Sequence, residues 1–105
     1  MIANTPKPPY YTVIFSTIRT EIDEGYLETA EKMEELAKLQ DGYLGIESAR
    51  NDVGITVSYW ESLEAILNWK NNAEHIIARE KGRALWYKKY QLRISKVEHD
   101  YGFEK

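Results

Sequence analysis

The alternation of apolar and polar positions divides this chain into strands and helices in a simple order. Tyr10 to Arg19 (YYTVIFSTIR) is dense in β-branched and aromatic residues and reads as a strand. Tyr11, Val13, Phe15 and Thr17 face one side of it, and Tyr10, Thr12, Ile14, Ser16 and Ile18 face the other. Both faces carry large apolar groups, so neither suits open water. From Thr20 to Gln40 the period changes. Tyr26, Ala30, Met33, Leu36 or Ala37, and Gln40 recur three and four apart, with Glu28, Glu31, Lys32, Glu35 and Lys38 between them. That is one apolar stripe on a helix. Glu21, Asp23 and Glu24 cluster at its expected start, where they suit the positive end of the helix dipole, and Asp41-Gly42 ends it.

Tyr43 to Asn51 is a second strand and Ile55 to Trp60 a third, joined by the turn residues Asn51-Asp52-Val53-Gly54. In the third strand Ile55, Val57 and Tyr59 share one face. Thr56, Ser58 and Trp60 share the other, which is polar but uncharged and suits a cavity wall. Ser62 is a candidate N-cap for a second helix carried by Leu63, Ile66, Leu67, Trp69 and Lys70. Asn71-Asn72 predicts an interruption there. Asn71 with Glu74 has the form of a capping box, so the helix is expected to restart, re-aimed just before His75, with a pocket mouth at the break. Ala73, Ile76, Ile77 and Glu80 carry the second piece to about Lys81, and Gly82 is a stop signal. A last strand is expected near Tyr90 to Glu98. Residues 1–9, with Pro6, Pro8 and Pro9, read as an extended tail ahead of one domain over residues 10–103.

The predicted order is β-α-β-β-α-β. This is an α+β, ferredoxin-like arrangement, an antiparallel sheet with both helices on one face. The opposite face still carries aliphatic and aromatic side chains. Pairing it with the same face of a second copy buries it, so a symmetric homodimer is expected.

Composition narrows the function classes. Fourteen Lys and Arg stand against 17 Asp and Glu, a net charge of -3, which leaves no basic footprint for nucleic acid. No apolar run approaches the ~20 residues of a membrane span, and the first residues lack the form of a secretory signal. The absence of cysteine removes disulfides, thiolate metal sites and a cysteine nucleophile, and it fits a reducing, cytoplasmic setting.

Candidate chemistry concentrates in residues 59–90. An unperturbed histidine changes charge near neutrality, which makes His75 the candidate acid, base or metal ligand, or else an ordinary polar helix residue. Nothing near it has zinc-ligand spacing, so no metal site is expected. Trp60, Trp69 and Trp86 serve either as core or as platforms for a flat ligand, and Tyr59, Tyr87 and Tyr90 are equally two-sided. His75, Arg79 and Arg83 follow one helical stripe that is either a solvated face or a receptor for a substrate carboxylate. There is no nucleophile elbow, phosphate loop or dinucleotide fingerprint.

Three stretches together carry a family resemblance: W-E-S-x-E-A-x-x-x-W from Trp60 to Trp69, the following N-A-E-H, and the G-R-x-x-W-Y-x-x-Y exit ending at Tyr90. Over residues 10–103 the chain resembles the antibiotic biosynthesis monooxygenase superfamily. The resemblance implies a dimeric α+β barrel. It also implies an oxidation of an aromatic or quinol-like molecule without a bound cofactor, with His75 as the catalytic candidate and Trp69, Tyr59, Arg79 and Trp86 around the substrate. A non-catalytic dimeric module that binds a small ligand or serves a structural role is the alternative. A haem-degrading branch of the superfamily is similar around Trp69, but Ser16 stands where that branch has an asparagine. His75 also falls earlier than its ligand histidine, a place held here by Arg79 or Glu80. Haem is therefore disfavoured.

Overall fold

A computed structural model describes residues 2–79 and 85–105, the side chains of residues 75–79 excepted. The elements are β1 (Tyr10–Arg19), α1 (Tyr26–Leu39), β2 (Tyr43–Arg50), β3 (Gly54–Trp60), α2 (Leu63–Arg79) and β4 (Tyr87–Val97). The strands form one antiparallel sheet in the order β2-β3-β1-β4, the ferredoxin-like topology. β1 is flanked on both sides, and its register places Val13 between Ser58 and Ile94, Phe15 between Thr56 and Leu92, and Thr17 between Gly54 and Tyr90. Because side chains alternate, these residues share the face under the helices.

The core sits toward one end of that face. Trp60 is fully buried and packs with Val13, Ala37, Ala65 and Ile66, with Tyr11, Tyr43, Trp69 and Leu92 closing around them. Its indole N–H is satisfied by Ser58 Oγ at 2.8 Å, so the largest buried side chain leaves no orphan donor. Gly42 links α1 to β2 at φ 86, and a Cβ there would stand 2.7 Å from the Cβ of Ala65. Both the positive φ and the close approach of α2 require glycine.

Three boundaries differ from the sequence expectation. α1 begins at Tyr26 rather than near Thr20. Thr20 is drawn across to the residues before β4: its amide donates to Trp86 O at 2.8 Å and its hydroxyl to Leu85 O at 2.5 Å. Gly25, at φ 77, then turns the chain into the helix. Glu21, Asp23 and Glu24 therefore precede the helix, and Asp23 pairs with Arg19 at 3.0 Å.

The expected break at Asn71-Asn72 is absent, and α2 runs unbroken from Leu63 to Arg79. Both asparagines are exposed, and the Asn72 amide reaches Gln40 Oε1 at 3.4 Å. Asparagine's weak helix preference costs about 0.7 kcal/mol per residue, which the burial of Ile66 and Ala73 on the opposite side outweighs. The pocket mouth expected at that break is thus not formed by a kink. Ser62 caps α2 as predicted, accepting from Ala65 N at 3.1 Å. Finally, β4 starts at Tyr87, because a bulge between Ile18 and Arg19 lets Arg19 pair with Tyr87.

A candidate active-site cavity between helices and sheet

Beside the Trp60 core, an open cavity of about 1140 Å³ lies between the helices and the sheet and reaches around the β2 edge to Ile2, Ala3 and Asn4 of the N-terminal tail. Ala30, Ala37 and Ala73 line the helix side together with Tyr26, Met33 and Trp69, while Thr17, Thr56, Ser58 and Gly54 line the sheet side. The small residues leave room between the larger ones. The volume suits a ligand of several rings.

The aromatic walls have two parts. At the core end, Trp69 stacks on Trp60 with ring centroids 6.1 Å apart and planes 18° from parallel, and Trp69 lines the cavity. At the far end Phe15, Tyr87 and Tyr90 form a mutual cluster, with centroid distances of 5.8, 5.4 and 5.9 Å. Tyr26 closes it from α1, 6.2 Å from Tyr87. Burial is the main influence that pushes the Tyr87 hydroxyl above the ordinary phenol range, followed by its neighbour Tyr26. Near neutral pH it is a neutral hydrogen-bonding group and not a phenolate base.

Arginines flank this far end. Arg19 Nη2 donates to Ile22 O and to Asp23 Oδ1, and its guanidinium lies 3.3 Å from the Tyr26 ring centre, while its buried Nε has no hydrogen-bond partner among the described residues. Arg50, at the end of β2, lies on the cavity rim and donates through Nη2 to Thr17 Oγ1. Thr17 is itself buried.

The residues predicted from sequence fall in different places. Trp69 faces the cavity. Trp86 is buried behind Tyr26, edge-on at 5.8 Å, and donates to Glu24 O at 2.9 Å. Tyr59 lies on the other face of the sheet. There it stands edge-on to Tyr10 at 6.0 Å and donates to Glu47 Oε1 at 2.5 Å. Burial, and then this bond, pushes the Tyr59 hydroxyl up to about 12. The same bond, aided by the Ala3 amide 2.9 Å from Oε2, holds the Glu47 carboxyl below its usual range. The side chains of His75 and Arg79 lie outside the described residues.

The sequence reading passed over Phe15, Thr17 and Arg50. Strand alternation already grouped Phe15 with Thr17. Arg50 carried no signal, since an arginine before a hairpin turn is ordinary; only strand register brings it beside Thr17. Among the described residues no group of three or more His, Asp or Glu side chains is arranged to hold a metal, and no helix is long and apolar enough to cross a membrane.

Known proteins place this architecture. The sequence model of the family described as antibiotic biosynthesis monooxygenase matches residues 9–81. YqjZ of Bacillus subtilis (strain 168), described as an uncharacterised protein, is 50% identical over 105 residues, covering 98% of this chain and 92% of its own. Among solved structures, a variant of SnoaB, a cofactor-independent oxygenase from Streptomyces nogalater, superposes with a TM-score of 0.70 at 9% identity. The match covers 87% of this chain and 95% of that one. NE2512, a protein of unknown function from Nitrosomonas europaea, superposes at 0.67 with 8% identity, covering 95% and 98%. At such identities the solved structures speak for the fold alone. The sequence match over most of the sheet and both helices, and the half-identical relative along nearly its whole length, mean that the chain belongs to the antibiotic biosynthesis monooxygenase family.

Proposed function

We propose that this protein is a cofactor-independent monooxygenase that oxidises an aromatic or quinol-like small molecule in the cavity between the helices and the sheet. The observation that carries this is the cavity of about 1140 Å³ with the Trp69 ring, backed by Trp60, on its wall. A flat, electron-rich ring lies against such a wall by stacking and burial. Family membership, and the fold shared with a cofactor-independent oxygenase, support the reaction class.

The chemistry then comes from the substrate. Loss of a proton from an activated CH2 leaves a carbanion, which passes one electron to dioxygen. The resulting carbon radical and superoxide combine into a carbon–oxygen bond, and proton uptake gives a hydroperoxide. Loss of water from the hydroperoxide leaves a carbonyl, so CH2 and O2 become C=O and H2O. The protein's part is to orient the ring, exclude water and place a proton acceptor. In this proposal Trp69 orients the ring, His75 accepts or directs the proton, and Arg79 binds a polar substituent. Trp86 and Tyr59 act at one remove, Trp86 by supporting Tyr26 and Tyr59 through Glu47.

The protein is proposed to work as a homodimer joined through the sheet face that bears Ile14, Ile18, Ile55 and Val57. Ile18 and Ile55 are 41% and 44% exposed in the single chain. Tyr101 and Phe103 on the C-terminal tail are almost fully exposed and supply further apolar surface for a second copy.

An oxygen electrode tests the proposal. A panel of anthrones, naphthols and quinols is expected to include a compound that drives oxygen uptake in the wild type and much less in His75→Ala and Trp69→Ala. No uptake above the enzyme-free rate with any of them favours the non-catalytic binding module. A Soret shift on adding haem redirects the assignment to haem chemistry.

A further inference from the structure

Arg50 differs from the other cations around the cavity. Lys38 is 3.5 Å from Glu34, Lys70 is 4.0 Å from Glu74, and Arg19 is bound to Asp23. Among the described residues no carboxylate lies within ion-pair distance of Arg50, which donates to the neutral hydroxyl of Thr17. A guanidinium has five N–H donors, so most remain available.

Its placement is built into the sheet. Arg50 pairs with Gly54 across the β2–β3 hairpin, and Gly54 with Thr17 across β3–β1, so the side chain crosses β3 at a glycine. A Cβ on Gly54 would stand 2.1 Å from Arg50 Nη2 and 2.2 Å from Cζ. Gly54 has no positive φ to explain it. The glycine makes room for the guanidinium. The same end of the cavity holds Phe15, Tyr87 and Tyr90, an aromatic wall next to a positive charge with no carboxylate within ion-pair distance among the described residues.

We infer that the cavity takes an aromatic carboxylic acid, its ring held between Trp69 and the Phe15 cluster and its carboxylate bound at the rim by the Arg50 guanidinium seated over Gly54. A planar carboxylate matches the arginine fork and accepts two parallel N–H bonds. One guanidinium balances one negative charge, which favours a carboxylate over a phosphate dianion. This rests on the proposed use of the cavity for an aromatic ligand, and it adds the class of that ligand.

Calorimetric titration of the full chain near pH 7 with 2-naphthoate and with 2-naphthamide, which share a ring system and differ in charge, tests it. The wild type is expected to bind naphthoate about tenfold more tightly than naphthamide, as a charge-assisted hydrogen-bonded pair provides. Arg50→Gln is expected to abolish that preference and leave naphthamide affinity unchanged. Gly54→Ala, which keeps the arginine but displaces its guanidinium, is expected to do the same, with the thermal melt confirming that each variant folds. If both compounds bind the wild type equally, or the preference survives Arg50→Gln, the inference is overturned while the aromatic cavity stands. If neither compound binds, the cavity reading falls and the inference falls with it.

Discussion

Trp69 and Trp60 are stacked nearly parallel, 6.1 Å apart, yet they sit in different environments: Trp60 is completely buried, and Trp69 is half-buried with the cavity beside it. Their removal should therefore separate stability from binding. Trp60→Ala opens a void in the closed core and is expected to cost about 3–5 kcal/mol. Trp69→Ala enlarges an existing cavity and is expected to cost about 1–2 kcal/mol, while weakening naphthoate and naphthamide alike. Urea unfolding and calorimetry on the two variants check this, and equal stability losses would contradict it.

Asn71 and Asn72 lie within an unbroken α2. Replacing exposed Asn71 by alanine is expected to raise stability by about 0.5 kcal/mol. Were Asn71 an N-cap, the same change would cost about 1 kcal/mol. The sign of the shift in urea midpoint decides between them.

Gly42→Ala should be among the more damaging small substitutions. It places a Cβ on a residue at φ 86 and drives it to 2.7 Å from Ala65. A loss of about 1–3 kcal/mol is expected, with the contact between Gly42 and α2 reporting it as faster amide exchange around Ala65.

Stability should fall at both extremes of pH, for identifiable reasons. Glu47 has a folded pKa below its unfolded value of 4.5, so its contribution is present above that value and lost as pH falls through the folded pKa. Tyr59 is raised from 10.0 to about 12, so the unfolded chain deprotonates first and stability declines between those values as pH rises. Glu47→Gln is expected to flatten the acid limb of a stability–pH curve. Tyr59→Phe should flatten the alkaline limb only in part, because Tyr87 is also raised.

The proposed dimer makes a separate prediction. Ile14 and Val57 are cross-strand partners at the middle of the face away from the helices. Val57→Arg is expected to convert a dimer to a monomer in light scattering, since an unpaired charge in an apolar interface is costly. A wild type that is already monomeric at high concentration would refute the interface.

Local pattern alone determined the element order, the topology class and most strand faces of this protein. Alternation from Tyr10 to Thr17 and from Thr56 to Trp60 is a short-range property, and it sorted the cavity floor from the opposite face before any contact was known. The family-specific runs around Trp60 and Trp69 did the same for membership. Tertiary structure decided what local propensity could not. It delayed α1 to Tyr26, because Thr20 is bound to Leu85 and Trp86 more than sixty residues away. It carried α2 through two asparagines, because burial of one face outweighs a weak preference on the other. It also brought Arg50 over Gly54 to Thr17, since strand register, which depends on pairing between distant segments, determines which side chains meet.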